Sequence, residues 1–403
     1  IRDRFPEEVF TNSGLTGRQM QDKAKNMLYD WFVTFRKEGF TEWNSSPYLP
    51  IDTLGFGSLY AFAQDPAMRE LGREGMDFAY YLLAVHSQQG IFASSSGRTY
   101  IKEQFGNWSN CPSGLSWIGY GYGVPGHAGK GITSYCLSDY EPPKEFAQWF
   151  SIPRGKEMIC QTTQGNDGYV DLYTYKTADY MMTSANDFPP GEPGHQENPF
   201  QLTFNAVAQL WVTHPGERVL FGAARPSYWA GNGTLPKVNQ YKAFAGLIYD
   251  IAPEHPVDFT HLYLPSMEFD RCEVEGKWAF VQLGSAYAAV YCSNGMRMQD
   301  FGSNKDRECI AEGRRCIWLV RAAQADEFAA FEDFKAAMRG AALDADAEGR
   351  RYRFVDPVYG ELRCQWGETL YVNDAPMQYS GFDNYGKLTI CLLYTSPSPR
   401  DRS

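Results

Sequence analysis

The sequence predicts a multidomain α+β chain in which a helical N-terminal part precedes a large antiparallel β part. Apolar residues fall at helical spacing over 15–39 and 67–86, whereas beyond residue 160 they alternate with a period of two. Pro153 and Gly155 lie where the texture changes and set an expected boundary around 150–160.

The first helix is expected over 15–39. Its buried face is expected to carry Met20, Ala24, Met27, Leu28, Trp31, Phe32 and Phe35, and Gly39 is expected to stop it. A second is expected over about 51–64, entered through the turn at Pro47 and Pro50. A third is expected over about 67–86 and is buried through Leu71, Met76, Ala79, Leu82 and Leu83. Amphipathic helices joined by short loops belong to a helical barrel or array. Residues 87–136 lose all period and are rich in Gly, Ser, Asn and aromatics, and a stretch of that kind inside a compact domain is usually functional. A short helix near 143–150 closes the helical part. Strands are expected over 169–175, 201–208, 278–283, 287–292, 315–322, 352–355 and 362–372, with one helix over 325–338. Many strands without intervening helices imply an antiparallel sandwich. The expected domains are 1–153 and 154–390. Cys391–Asp401, CLLYTSPSPRD, resembles a translated sequencing-library adapter. Residues 391–403 are therefore expected to be a foreign tail without specific packing, and the gene to be cut at both sides.

A formal charge of -11 argues against a nucleic-acid partner, which needs clustered Lys and Arg. No apolar run reaches membrane-spanning length. Aromatics make up 15% of the chain, which suits both strand packing and stacking against sugar rings. With Cys391 set aside, eight cysteines remain and none forms a CxxC pair, so no cysteine-built zinc site is expected. The even count fits disulfides in an exported protein, and scattered thiols fit as well. A secreted or periplasmic location is the preferred one of an open set.

Three clusters carry possible chemistry. Glu42-Trp43-Asn44-Ser-Ser-Pro-Tyr48 precedes a helix, where free N–H groups favour an anion, although Asn44 or Ser46 would also serve as a simple cap. His86 ends the third helix, on the side of Leu82 and Leu83. It is followed by Ser96-Gly-Arg98-Thr-Tyr100, in which an Arg beside a Tyr lowers the phenol's pKa and makes it a plausible base. A lone His on a buried face is more often a packed core residue. Gly194-His195-Gln196-Glu197 leads into a strand, and Arg225-Pro-Ser-Tyr228-Trp229 forms a loop whose rings suit sugar stacking or a packed corner.

On these motifs the chain resembles the heparinase II/III-like polysaccharide lyases, in which an (α/α) toroid precedes an antiparallel β-sandwich. Asn44-Ser-Ser-Pro-Tyr48 is similar to that family's Asn-Ser-Pro-Thr-Tyr type of element, and Ser96-Gly-Arg98-Thr-Tyr100 to its Ser-Arg-x-Tyr type of loop. His195 before a strand, with His214-Pro-Gly after it, resembles the family's His-bearing strand. The resemblance implies an incomplete toroid followed by a sandwich, and β-elimination of a uronic-acid glycan. It also implies catalytic roles for Asn44, Tyr48, His86, Arg98, Tyr100 and His195, with Glu42, Trp43, Gln196, Arg225, Tyr228 and Trp229 around the substrate. Asn44, helped by Arg98 or His195, is expected on the carboxylate, and Tyr48, Tyr100 or His86 as base and acid. The family's His-x-His is here His195-Gln196-Glu197, and neither a metal nor another cofactor is expected. The expected partner is an acidic polysaccharide or oligosaccharide. Two rival expectations are a toroid glycoside hydrolase using Glu42 and Asp52, and a non-catalytic sugar binder using Tyr228 and Trp229.

Overall fold

The computed structural model describes residues 4–106, 110–123, 125, 130–165 and 170–392. A two-stranded ribbon, β1 (Val9–Phe10) and β2 (Leu15–Thr16), leads into α1 (Gly17–Glu38). Thr16 and Gln19 cap that helix reciprocally, each side chain bonding the other's backbone, which satisfies two of its free N–H groups. Gly39 ends it at φ 67°, a left-handed value that favours glycine. Only Phe32 and Phe35 of its apolar set are buried; Met27 and Trp31, expected inside, are exposed. α2 (Leu49–Phe62) carries Pro50 in its first turn, and α3 (Pro66–Val85) is capped by Asp65. Every residue from Phe78 to Val85 is buried, so α3 is the centre of the helical half.

The expected irregular stretch is a mosaic of short pieces. The ribbon β3 (Ser87–Gln88)–β4 (Ile91–Phe92) is followed by α4 (Ile101–Gln104), α5 (Ser113–Tyr120) and α6 (Ile132–Cys136). A 3-10 turn at Lys144–Trp149 closes the half.

The remaining chain forms three antiparallel sheets. β5 (Lys156–Gln164), β6 (Val170–Lys176), β7 (Met181–Asn186), β8 (Phe200–Thr203) and β9 (Gln209–Thr213) run side by side. β10 (Lys237–Tyr241) and β11 (Phe244–Asp250) start a second sheet, and β12 (Phe259–Tyr263) returns beside β9. β13 (Arg271–Glu275), β14 (Trp278–Leu283) and β15 (Ala286–Cys292) extend the second sheet. β16 (Arg297–Met298) and β17 (Glu308–Glu312) extend the first, and β18 (Arg315–Gln324) returns to the second. After α7 (Phe331–Gly340), a third sheet is built from β19 (Leu343–Asp346), β20 (Arg351–Asp356), β21 (Gly360–Gln365), β22 (Tyr371–Val372) and β23 (Ala375–Pro376). Finally β24 (Lys387–Leu392) pairs with the edge of β5.

The nine-stranded and six-stranded sheets share one core. Met182, Leu202 and Leu210 from the first meet Leu247, Val290 and Trp318 from the second. The Tyr249 hydroxyl donates to the Val212 carbonyl across the gap at 3.2 Å, and Trp318 Nε1 donates to Thr260 Oγ1 at 2.9 Å. These two buried polar groups thus keep partners as the sheets close.

Several boundaries differ from expectation for local reasons. The strand expected over 201–208 stops at Thr203, because the Asn205 side chain accepts from the N–H groups of Val207 and Ala208 and folds the chain into a turn. The helix expected from 325 starts at Phe331; Glu327, in the missing turn, is bound instead by Arg321. The stretch 362–372 breaks into β21 and β22. The boundary expected at 390/391 falls inside β24, where Cys391 pairs with Glu157 and Leu392 with Lys156. Leu393 to Ser403 lie outside the described residues.

The two halves are joined through the outer face of the nine-stranded sheet. Met158 and Cys160 of β5 belong to the helical core. Fully buried Lys176 donates from Nζ to the carbonyls of Ala84 (3.0 Å) and Trp149 (2.8 Å), where helix ends leave acceptors unpaired. The Asn384 amide donates to the Phe35 carbonyl at 2.9 Å.

Candidate functional site

The site grows from a splice between the two halves. Ser96 and Asn198 exchange backbone hydrogen bonds at 2.9 and 2.7 Å, and Thr99 N–H donates to the Gln196 carbonyl at 3.1 Å. The loop 95–100 of the helical half is therefore a short strand laid against 196–198 of the sheet half. The segment 42–48 packs on its other side: Gly97 N–H donates to the Trp43 carbonyl at 2.8 Å, and Ser45 Oγ to the Arg98 carbonyl at 3.1 Å. Gly97 is required here, since a Cβ would lie 2.7 Å from the Trp43 indole nitrogen.

This arrangement brings Glu42, Tyr48, Arg98 and Tyr100 together. Arg98 Nη1 donates to Glu42 Oε1 at 2.7 Å, and Nη2 to the Tyr100 hydroxyl at 3.4 Å. The same guanidinium lies 4.9 Å from the centre of the Tyr48 ring. Arg225 crosses over from the sheet half to sit 5.4 Å from the centre of the Tyr100 ring. It is exposed, and no carboxylate pairs with it among the described residues.

The two phenols are driven apart. The Arg98 hydrogen bond, against burial, holds Tyr100 below the ordinary value of 10.0, and the Arg98 charge, the Tyr48 hydrogen bond and Arg225 help. For Tyr48 the Arg98 charge acts downward. The hydrogen bond to Tyr100, burial and the Tyr100 and Glu42 charges outweigh it, so this phenol lies above 10.0. A bond in which Tyr48 donates to Tyr100 accounts for both directions. Neighbouring groups with opposed shifts mark acid and base assignments.

Two hollows open on either side of this cluster. A cavity of about 620 Å³ is lined by Tyr100, Lys102, Glu103, Lys130, Gln196 and Arg225, among others. A second, of about 470 Å³, is lined by Trp31, Glu42, Tyr48 and Asp52. Burial, then the Glu42 charge, pushes Asp52 up to about 7.

The other expected site residues lie elsewhere. Asn44 is buried at φ 48°, and its amide donates to the Ser95 carbonyl at 3.4 Å, so it braces the loop from beneath instead of facing either hollow. His86 is enclosed between α3 and β6, with Nδ1 3.0 Å from Thr174 Oγ1. Burial, with Lys176 nearby, pushes it down to about 3, so it is neutral near pH 7. His195 is exposed beside Gln196 and lines neither hollow. Trp43 is packed edge-on against Phe188. Gln196 is buried, with Nε2 on the Thr99 carbonyl at 2.9 Å.

Tyr228 and Trp229 do not offer open faces. The Trp229 ring stacks on His261 at 4.1 Å, and the Tyr228 hydroxyl donates to Glu308 Oε1 at 2.6 Å. They belong to a buried network that the sequence reading did not find. Glu308 also receives His261 Nδ1 at 2.6 Å and Asn304 Nδ2 at 2.8 Å, while Thr213 Oγ1 lies 2.7 Å from His261 Nε2. Glu308 is held below the ordinary carboxylate range: burial acts upward, but His261, Tyr228 and Asn304 outweigh it. These bonds hold the loop that presents Arg225. The signal lay in His261 and Glu308 at polar positions of opposed strands, visible only once β12 and β17 are paired.

No protein-family model, no curated protein and no solved structure matches the chain. Among the described residues no group of three or more His, Cys, Asp or Glu is placed to hold a metal, and no helix is long and apolar enough to cross a membrane.

Proposed function

We propose that the protein is a polysaccharide lyase that cleaves a uronic-acid-containing glycan by β-elimination, on an incomplete (α/α) toroid joined to a β-sandwich. The observation that supports this most is the opposed pair of phenols beside Arg98, with Tyr100 and Arg225 at the edge of a cavity large enough for a sugar unit and Tyr48 on the neighbouring hollow. The proton next to a carboxylate becomes acidic enough to remove only when that charge is neutralised. Arg225, unpaired and facing the cavity rim, takes the substrate carboxylate, with Arg98 behind it. Tyr100, as phenolate, takes the proton from the carbon bearing the carboxylate, and the electron pair forms the ring double bond. The bond to the leaving oxygen breaks, and Tyr48 gives that oxygen its proton. Asn44 supports this site from the interior through Ser95.

The raised Asp52 favours a second reading. Glu42 is paired with Arg98 while Asp52, raised to about 7, holds a proton near neutrality, a division that suits a glycoside hydrolase. The product decides between them. Incubation with polyuronates should yield an unsaturated sugar absorbing in the near ultraviolet, and the same polymer with its carboxylates reduced to alcohols should not be cut. Reducing ends without ultraviolet absorbance would overturn elimination and favour hydrolysis.

A further inference from the structure

The chain leaves the six-stranded sheet at Cys292, the end of β15, and returns at Arg315, the start of β18. In between it crosses to the other sheet and supplies β16 and β17. The two feet of this excursion are adjacent. Ser293 N–H donates to the Ile317 carbonyl, and Ile317 N–H to Ser293 Oγ, each at 2.9 Å. Between them Cys292 Sγ and Cys316 Sγ lie 3.3 Å apart, both fully buried. This is the one thiol pair in sulfur–sulfur contact among the described residues.

We infer that Cys292 and Cys316 are joined by a disulfide that staples the base of this cross-sheet excursion when the chain folds in an oxidising compartment. The inference stands apart from the proposed function. Cys292 stands opposite Trp318, so Cys316, two residues away on the same strand, shares its face, and the two sulfurs already touch at 3.3 Å. While the chain is still open, the thiolate of either cysteine attacks glutathione disulfide and releases one glutathione thiolate. The other cysteine, deprotonated, then attacks the mixed disulfide and releases the second. Two protein thiols lose two protons and two electrons, and one glutathione disulfide is reduced to two glutathiones. The step precedes closure of the core. The link would restrain the segment that carries Asn304 and Glu308, and so the network behind Arg225.

The test is to refold the full chain in a glutathione buffer at the poise of an export compartment, then denature it in acid with an alkylating agent. The expected result is a mass lower by two hydrogens and a peptide linking Cys292 to Cys316. Amides of 297–312 should exchange about tenfold more slowly than after reduction. Cys292→Ala and Cys316→Ala should each abolish the link and make exchange insensitive to reductant. Comparing wild-type protein before and after reduction keeps the test independent of how well the variants fold. Full alkylation of both thiols, a link to any other cysteine, or exchange unchanged by reduction overturns the inference.

Discussion

Tyr100→Phe should lower kcat on a polyuronate by about 10²–10⁴-fold while changing KM by less than about threefold, since the lost hydroxyl acts on the proton in flight and not on the bound sugar. The pH profile provides the second readout. If Tyr100 is the base, activity rises as pH passes through its lowered pKa and falls as pH passes through the raised pKa of Tyr48. Arg98→Ala removes the hydrogen bond that holds Tyr100 down, so the rising limb should move toward the ordinary phenol value near 10. A merely structural Arg98 would lower activity without moving that limb. Full activity in Tyr100→Phe, with activity lost in Asp52→Asn, would transfer the chemistry to the carboxylate pair in the neighbouring hollow.

The contrast between the two phenols was only half legible in the sequence. Arg98 two residues before Tyr100 is a local pattern, and its effect on the phenol follows from charge alone. Tyr48 and Glu42 could be placed near it only because both motifs stood at helix ends. What joins them is the packing of 42–48 on the loop 95–100, through Gly97 to Trp43 and Ser45 to Arg98, a long-range contact that no local pattern encodes. The buried fate of Tyr228 and Trp229 was hidden for the same reason. An aromatic pair after a proline reads the same whether its rings face solvent or stack on a histidine from a distant strand. The helices were the most legible elements. Their periodicity is local, and α3 buries every residue the spacing marked. The outer face of α1 shows the limit of that signal, because periodicity reports an apolar stripe and not what covers it. His86 is the opposite case: helical spacing placed it on the buried side, and the structure puts it there without access to either hollow.

That burial gives the second large effect, on stability in mild acid. His86 and His214 are each pushed from 6.5 down to about 3, chiefly by burial. In the unfolded chain they take protons near pH 6.5, and in the folded chain only near 3. Their contribution is therefore present above pH 6.5 and lost as pH falls toward 3. Asp52 acts the other way. Its folded value of about 7 exceeds the 3.8 of a free Asp, so between about pH 4 and 7 the folded state holds the extra proton. Between pH 6 and 4 the unfolded state thus gains two protons and the folded state keeps one, a net difference of one. These three groups alone lower stability by about 1.4 kcal/mol per pH unit over that range, and His261, which burial also holds below 6.5, adds to the fall. Urea unfolding at pH 6, 5 and 4 measures the slope. His86→Gln, which retains a donor and an acceptor toward Thr174, should make it shallower by about 1.4 kcal/mol per pH unit. Asp52→Asn should steepen it by about 1.4 kcal/mol per pH unit, since the buried histidines then act unopposed. A wild-type protein that gains stability between pH 6 and 4, or a His86→Gln variant with the parent's slope, would mean that His86 takes up its proton inside the fold. Its ring could not then be the neutral, enclosed partner of Thr174.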